Sequence, residues 1–268
     1  MSTKTPSDWL DINKKSWDDR AKLHIKSPFY DVAGFKKGNN TLHSIELDIL
    51  GDIKQKKILH LQCHFGLDTF SLERLGAQVT GVDFSEKSIE YANMLKTEMG
   101  LTSEFICSDV YSLDLNSSHK FDTLFCSYGI TGWLPDLDKW ARVISKHVQS
   151  NGTFVLVDFH PALWMFDDDF QSIAYSYFND QAYVEKQDGS YADRNSKEEI
   201  TSIWWSHSLS EITQSLLNQN MILENFQEYD YSPFNCFQHT VKVDEHKFRI
   251  QHLDAKIPMV YSMVFKKQ

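Results

Sequence analysis

The chain has 268 residues, 41% of them hydrophobic and 24% charged, the balance expected of a soluble globular protein with a sizeable core. A formal net charge of −10 and the lack of a basic stripe argue against a nucleic-acid partner, because phosphate binding needs Lys and Arg gathered on one face. No apolar run approaches the roughly 18 residues of a bilayer span, and the polar start MSTKTPSDWLDINKKSWDDR has no apolar signal core, so a cytoplasmic protein without a membrane partner is expected.

In chain order, residues 1–40 read as a helix and a loop. Trp9, Ile12, Trp17 and Ala21 are spaced to line one helical face, and Ser27-Pro28 breaks the pattern. Leu42, Ile45, Ile49 and Leu50 recur at helical spacing before Gly51. An alternation then begins: a strand at 57–61, a helix at 67–75 closed by Gly76, and a strand at 78–82. Ser85 caps a helix bearing Ile89, Ala92, Leu95 and Met99, closed by Gly100. Strands follow at 104–107 and 121–127. Asp136 caps a helix bearing Leu137, Trp140, Ala141, Ile144 and Val148, Asn151-Gly152 makes a turn, and 153–158 is a fifth strand. Strand-helix alternation of this kind demands right-handed crossovers and a parallel sheet. Unbroken apolar strands such as 153–157 fit a sheet covered on both faces.

After Asp158 the rhythm changes. Residues 161–206 are rich in aromatics and acids. Asp188-Gly189, between 183–187 and 190–192, is a hairpin signal, and 200–206 reads as another strand. Ser208-Leu-Ser-Glu211 is a capping box opening a helix with Ile212 and Leu216, and 221–229 and 259–265 are the last strands. With no internal repeat or linker, one domain over 1–268 is expected, with an insert at 161–206. Cys63, Cys107, Cys126 and Cys236 form no Cys-x-x-Cys pair, so free thiols and no metal site are expected.

In an open parallel sheet, ligands bind beyond the carboxyl ends of the strands. The first strand runs into His60-Leu-Gln-Cys-His-Phe-Gly66-Leu-Asp-Thr69, a turn into a helix whose free N–H groups suit an anion such as a carboxylate, or which is a plain βα turn. Asp83, at the tip of the second strand, is placed to accept hydrogen bonds from ribose hydroxyls; helix capping, the other use, is already open to Ser85. Asp109, beyond the third strand, suits an exocyclic amine such as that of adenine, or is a solvated turn residue.

The segments LHLQCHFGLDT, VTGVDFSEKSI, SDVYSL, FDTLFCSYGITGWLPDLDKWARVI and VLVDFHP together resemble the Rossmann-like (class I) S-adenosylmethionine-dependent methyltransferases, in a bacterial-type branch whose members mostly lack a known substrate. The resemblance covers about residues 55–160 well. It implies an α/β fold: a doubly wound, mainly parallel, seven-stranded sheet with the aromatic insert after its fifth strand and a helical lid over 1–40. It implies S-adenosylmethionine as cofactor and a small-molecule acceptor. Gln62, Cys63, His64 and Gly66 would wrap the methionine part, with Asp68 and Thr69 following. Asp83, with Phe84 and Ser85, would serve the ribose, and Asp109 and Val110 the adenine. Ser127 and Tyr128 would floor the pocket, and Trp17 and Tyr30 would fold over the cofactor. The sequence departs from the family in the first loop: the usual strand acid is His60, and two usual glycines are Gln62 and His64. His64 could then contact the cofactor carboxylate directly.

Methyl transfer from a sulfonium needs alignment and a dry pocket, and a base only where the acceptor must lose a proton. His160 and Tyr128 are the candidate bases. For His160 the other use is anchoring the lid. The aromatics of 161–206, among them Trp164, Tyr175, Tyr183, Tyr191, Trp204 and Trp205, would cover the acceptor, as a cation-binding box or as an ordinary core, and the Asp167-Asp-Asp169 run would be solvated. The altered loop also leaves a non-catalytic S-adenosylmethionine-binding module as an alternative. A nicotinamide-dependent oxidoreductase fits less well, because Gln and His side chains stand where pyrophosphate needs bare glycine backbone.

Overall fold

The computed structural model describes residues 5–115 and 120–268. It begins with helices α1 (Trp9–His24), α2 (Val32–Lys36) and α3 (Ser44–Leu50). The alternating unit then follows as β1 (Lys57–Leu61), α4 (Leu67–Arg74), β2 (Gln78–Asp83), α5 (Glu86–Met99), β3 (Glu104–Cys107), β4 (Phe121–Ser127), α6 (Leu137–His147) and β5 (Val148–Phe159). Next come a hairpin of β6 (Ala182–Asp188) and β7 (Glu199–Trp205), helix α7 (Leu209–Leu217) and β8 (Met221–Tyr229). A second hairpin of β9 (Thr240–Asp244) and β10 (Lys247–Ile250) precedes β11 (Val260–Lys267).

Seven strands form one sheet in the order β3-β2-β1-β4-β5-β11-β8. The first five are parallel, and β11 runs antiparallel to both β5 and β8. Strand order reverses between β1 and β4, which opens a crevice at their carboxyl ends. Apolar side chains cover both faces, as the unbroken strands require. Leu59, Leu124, Phe154, Leu156 and Met263 pack with Trp140, Ile144, Ile212 and Leu216. On the other face Ile58, Val79, Phe125 and Val155 pack with Leu42, Leu50 and Leu72.

Helix starts follow the sequence. Ser85, Asp136 and Ser208 each accept a backbone N–H in the first turn of α5, α6 and α7. Four details differ from expectation. The buried face of α1 carries Asn13, Ser16, Asp19, Arg20, Ala21 and His24. The reason is its position beside β7: Asn13 donates to the Ile203 carbonyl and accepts from the Ile203 N–H, both at 2.8 Å, in the manner of a neighbouring strand. Asp188-Gly189 does not close a tight hairpin; β6 pairs with β7, Asp188 facing Glu199, and residues 189–198 form the loop between them. Asn151-Gly152 becomes an irregularity inside β5, where the pairing with β4 shifts register. Cysteines in or beside core strands are expected to pack as small hydrophobes, yet Cys107, at the end of β3, is exposed, whereas Cys63 and Cys126 are buried. Among the described residues no helix is long and apolar enough to cross a bilayer.

Candidate functional site

A cavity of about 660 Å³ opens at the carboxyl ends of β1, β2, β3 and β4, a size typical of small-molecule sites. Of the expected cofactor residues, Tyr30, Gln62, Cys63, His64, Gly66, Asp68, Asp83, Phe84, Asp109, Val110, Ser127 and Tyr128 line it. Thr69 and Ser85 do not. Thr69 faces inward and shares a 2.9 Å hydrogen bond with Nδ1 of His60. Ser85 is spent on α5: its hydroxyl accepts from Ser88 N–H and donates to Asp18. Both expectations are corrected by side-chain direction, which spacing along a loop does not specify.

The loop after β1 keeps the backbone path of a glycine-rich turn without its glycines. Gln62 and His64 both sit in the left-handed region, at φ 56° and 52°, and Gly66 follows at 82°. For a residue with a Cβ that conformation costs about 1–2 kcal/mol. The cost is offset locally, because the His64 N–H donates to Asp83 at 2.8 Å and the Cys63 N–H donates to the Val82 carbonyl at 2.9 Å. At Gly66 a Cβ would stand 2.6 Å from the Phe105 ring, so this position has no room for any other residue.

Asp83 holds the centre. It is buried, and its second oxygen accepts from Ser85 N–H at 2.9 Å. Burial pushes its pKa up to about 6, against the pull of those two N–H donors. Each carboxylate oxygen keeps a lone pair for a ligand hydroxyl. Asp68 accepts from Thr41 at 2.6 Å and from Ser127 at 2.9 Å, tying α4 to the end of β4. Asp109, where burial raises the pKa, lines the cavity beside Val110 and Phe84.

His64 is not free to act as a cation. Its Nε2 lies 2.9 Å from Nδ1 of His24 and its Nδ1 lies 2.9 Å from the Ser88 hydroxyl. Burial lowers its pKa to about 3. The expected direct contact of His64 with a carboxylate is therefore corrected: this histidine is neutral and its ring nitrogens are engaged within the protein.

His160 is likewise turned away. It does not line the cavity; Nδ1 accepts from the Ala162 N–H at 3.0 Å, which leaves the proton on Nε2 to be donated to Glu228 at 2.8 Å. With no free lone pair it holds the chain after β5 in place, the anchoring use, and the general-base expectation is set aside. Tyr128, at φ 47°, does face the cavity. Its hydroxyl is buried with no hydrogen-bond partner among the described residues, and burial holds its pKa well above the ordinary phenol value. It stays a neutral donor and acceptor and does not take up protons near neutral pH.

The loop after Tyr128 is pinned by Asp158, which accepts from the N–H groups of Gly129, Ile130, Thr131 and Phe159 and from the Thr131 hydroxyl. The far wall is aromatic: Trp133, Phe159, Trp164, Trp204, Phe234 and Phe237. Asp167 and Asp168 stand at its solvent-exposed rim, within the acidic run expected to be solvated. Sequence reasoning missed Arg20, Trp133, Phe234 and Phe237. The alternating stretch Thr240-Val-Lys-Val was a signal for the β9–β10 hairpin, which follows Phe234 and Phe237 in the chain.

Residues 59–156 match the methyltransferase domain family. The chain is 28% identical over 151 residues to a ubiquinone biosynthesis O-methyltransferase of Chromobacterium violaceum, covering 54% of this chain and 60% of that protein. It is 24% identical over 156 residues to the protein of the same description from Proteus mirabilis, covering 57% and 62%. It thus spans about three fifths of the length of these curated relatives. Among solved structures, an S-adenosylmethionine-dependent methyltransferase of Clostridium acetobutylicum is similar at a TM-score of 0.56 and 16% identity, covering 95% of this chain and 98% of that one. A DhpI–SAM–HEP complex is similar at 0.59 and 15%, covering 97% and 99%. Both likenesses concern the fold.

Proposed function

We propose, from the premise that residues 59–156 belong to the methyltransferase domain family and that the sheet is that of the class I S-adenosylmethionine-dependent enzymes, that this protein methylates a small organic acceptor. The observation that carries this reading is convergence. The left-handed loop of Gln62, His64 and Gly66, the buried Asp83, Asp109 and the Ser127–Tyr128 floor all meet in one cavity, which continues past them under an aromatic wall. A cavity with room beyond the cofactor end favours a transferase over a module that only holds the cofactor. The curated relatives, described as ubiquinone biosynthesis O-methyltransferases, support an oxygen acceptor on a small molecule.

The residues fit the cofactor. The Gln62 side chain donates Nε2 to the Ile130 carbonyl, which leaves its Oε1 buried and without a partner among the described residues, an acceptor in the loop after β1 that would suit an α-ammonium. Asp83 would hold the ribose hydroxyls, Asp109 the adenine amine. S-adenosylmethionine supplies a methyl group already activated on a sulfonium sulfur. The protein's share is placement: Tyr128, fixed by its N–H to the Val157 carbonyl at 2.7 Å, sets the floor against which the acceptor's nucleophilic atom aligns. Trp133, Phe159 and Trp164 exclude water, which favours a transition state of dispersed charge. Neither candidate base is placed to take a proton, so rate acceleration rests on alignment and desolvation. The helical segment over 1–40 and the insert at 161–206 act as the cover of this site.

The test is thermal melting with S-adenosylmethionine, S-adenosylhomocysteine and NADH, on wild type and Asp83→Ala. At a hundredfold excess over Kd a ligand of the folded state adds about 2.7 kcal/mol. Both adenosyl compounds should raise the midpoint, NADH should not, and Asp83→Ala should lose the shift. Stabilisation by NADH alone would overturn the proposal.

A further inference from the structure

A buried arginine on α1 has no acidic hydrogen-bond partner among the described residues. Arg20 is 3% exposed and lines the cavity. Its guanidinium lies against an edge-to-face pair of indoles, 5.7 Å from the Trp17 ring centroid and 5.5 Å from that of Trp133. Its side chain donates to the Ser16 hydroxyl one turn back, and it forms no ion pair with a carboxylate among the described residues. Asp19 is taken by Lys15 and Lys22. Glu185, across the cavity on β6, contributes only its field. A guanidinium removed from water costs several kcal/mol unless an anion meets it, and its remaining N–H donors form a flat fork matched to a carboxylate.

The location of the fork identifies the anion. Trp17, which stacks on Arg20, lies 5.4 Å ring to ring from His64. Arg20 therefore stands beside the loop after β1. That loop has lost two glycines to Gln62 and His64, and the histidine there is neutral and engaged by His24 and Ser88. The cation that the loop does not supply comes from α1.

We propose that Arg20 binds the α-carboxylate of S-adenosylmethionine; this rests on the cofactor reading above. The first helix is then part of the cofactor site through a charge, and its buried polar face has a purpose beyond packing.

The experiment compares S-adenosylhomocysteine with 5′-methylthioadenosine, which keeps the nucleoside and sulfur but has a methyl group in place of the amino-acid tail. Binding of each is measured by calorimetry on wild type, Arg20→Met and Arg20→Lys. A lost charge-assisted pair weakens S-adenosylhomocysteine about 10- to 100-fold in Arg20→Met. 5′-Methylthioadenosine should bind wild type and Arg20→Met alike, and Arg20→Lys should fall between. Because Met removes an uncompensated buried charge, the ligand-free melting midpoint should not drop. Unchanged S-adenosylhomocysteine affinity overturns the proposal and leaves the acceptor as the source of the anion. Equal losses for both ligands overturn it in favour of a packing role. If Arg20→Met does not fold, Arg20→Lys carries the same comparison. Failure of wild type to bind S-adenosylhomocysteine would overturn the cofactor reading itself.

Discussion

Adding one methyl group at Gly66 should unseat the loop that defines this site. The residue sits at φ 82°, and a Cβ there would meet two atoms of the Phe105 ring at 2.6 and 2.7 Å. The ring has little freedom to retreat, because a Cβ at Gly81 would also meet it, at 2.9 Å, and it packs against Phe65, Leu67, Phe70 and Leu95. The left-handed backbone costs an alanine about 1–2 kcal/mol, and forcing an extra methyl into a packed site costs about 1–3 kcal/mol. Gly66→Ala should therefore lose about 2–5 kcal/mol, a fall in the thermal midpoint of about 10 °C for a domain of this size. Calorimetry of the ligand-free protein reads it directly. Phe105→Leu in the Gly66→Ala background should recover about 1–2 kcal/mol, the non-additivity expected of residues in contact. A midpoint unchanged from wild type would refute the clash, and additive losses in the double variant would assign the cost to backbone strain alone.

Asp158→Asn replaces an acceptor oxygen with a donor facing the N–H groups of Gly129, Ile130 and Thr131; losing two such bonds should cost about 3–5 kcal/mol in urea unfolding and weaken S-adenosylhomocysteine, because Tyr128 and Trp133 flank that loop. His160→Gln should lose about 1–2 kcal/mol of stability through the Glu228 and Ala162 contacts yet leave S-adenosylhomocysteine affinity unchanged, since the ring lies outside the cavity. Burial raises Asp83 to about 6, and the ionised form is the better acceptor for ribose hydroxyls. Affinity should hold above pH 7 and weaken by up to about tenfold per unit as pH falls through 6; a calorimetric profile flat from pH 5 to 8 would contradict this.

The parallel half of the sheet was legible because its signals are local. Apolar strands, capping serines and closing glycines all lie within a few residues of the elements they define. The positions of Asp83 at a strand tip and Gly66 at a helix start were legible for the same reason. Thr69 and Ser85 were assigned to the ligand and belong to His60 and to α5, since a position in a loop does not say which way a hydroxyl points. The polar face of α1 was illegible because its partner is the backbone of Ile203, 190 residues away. The β9–β10 hairpin hid behind its turn: His246 takes φ 51° where a glycine would have announced it.

The cover of the cavity is stitched from two distant parts of the chain. The Tyr30 hydroxyl meets that of Tyr191 at 2.5 Å, and His24 meets Ser190 at 3.0 Å. For a ligand seated beneath these contacts, their parting would be one step of release, so its residence time would reflect the opening of the protein as well as its own affinity. Exchange through such a cover is slow relative to binding in an open cleft. For the cofactor proposed above, release of the spent form would then be gated by these two contacts.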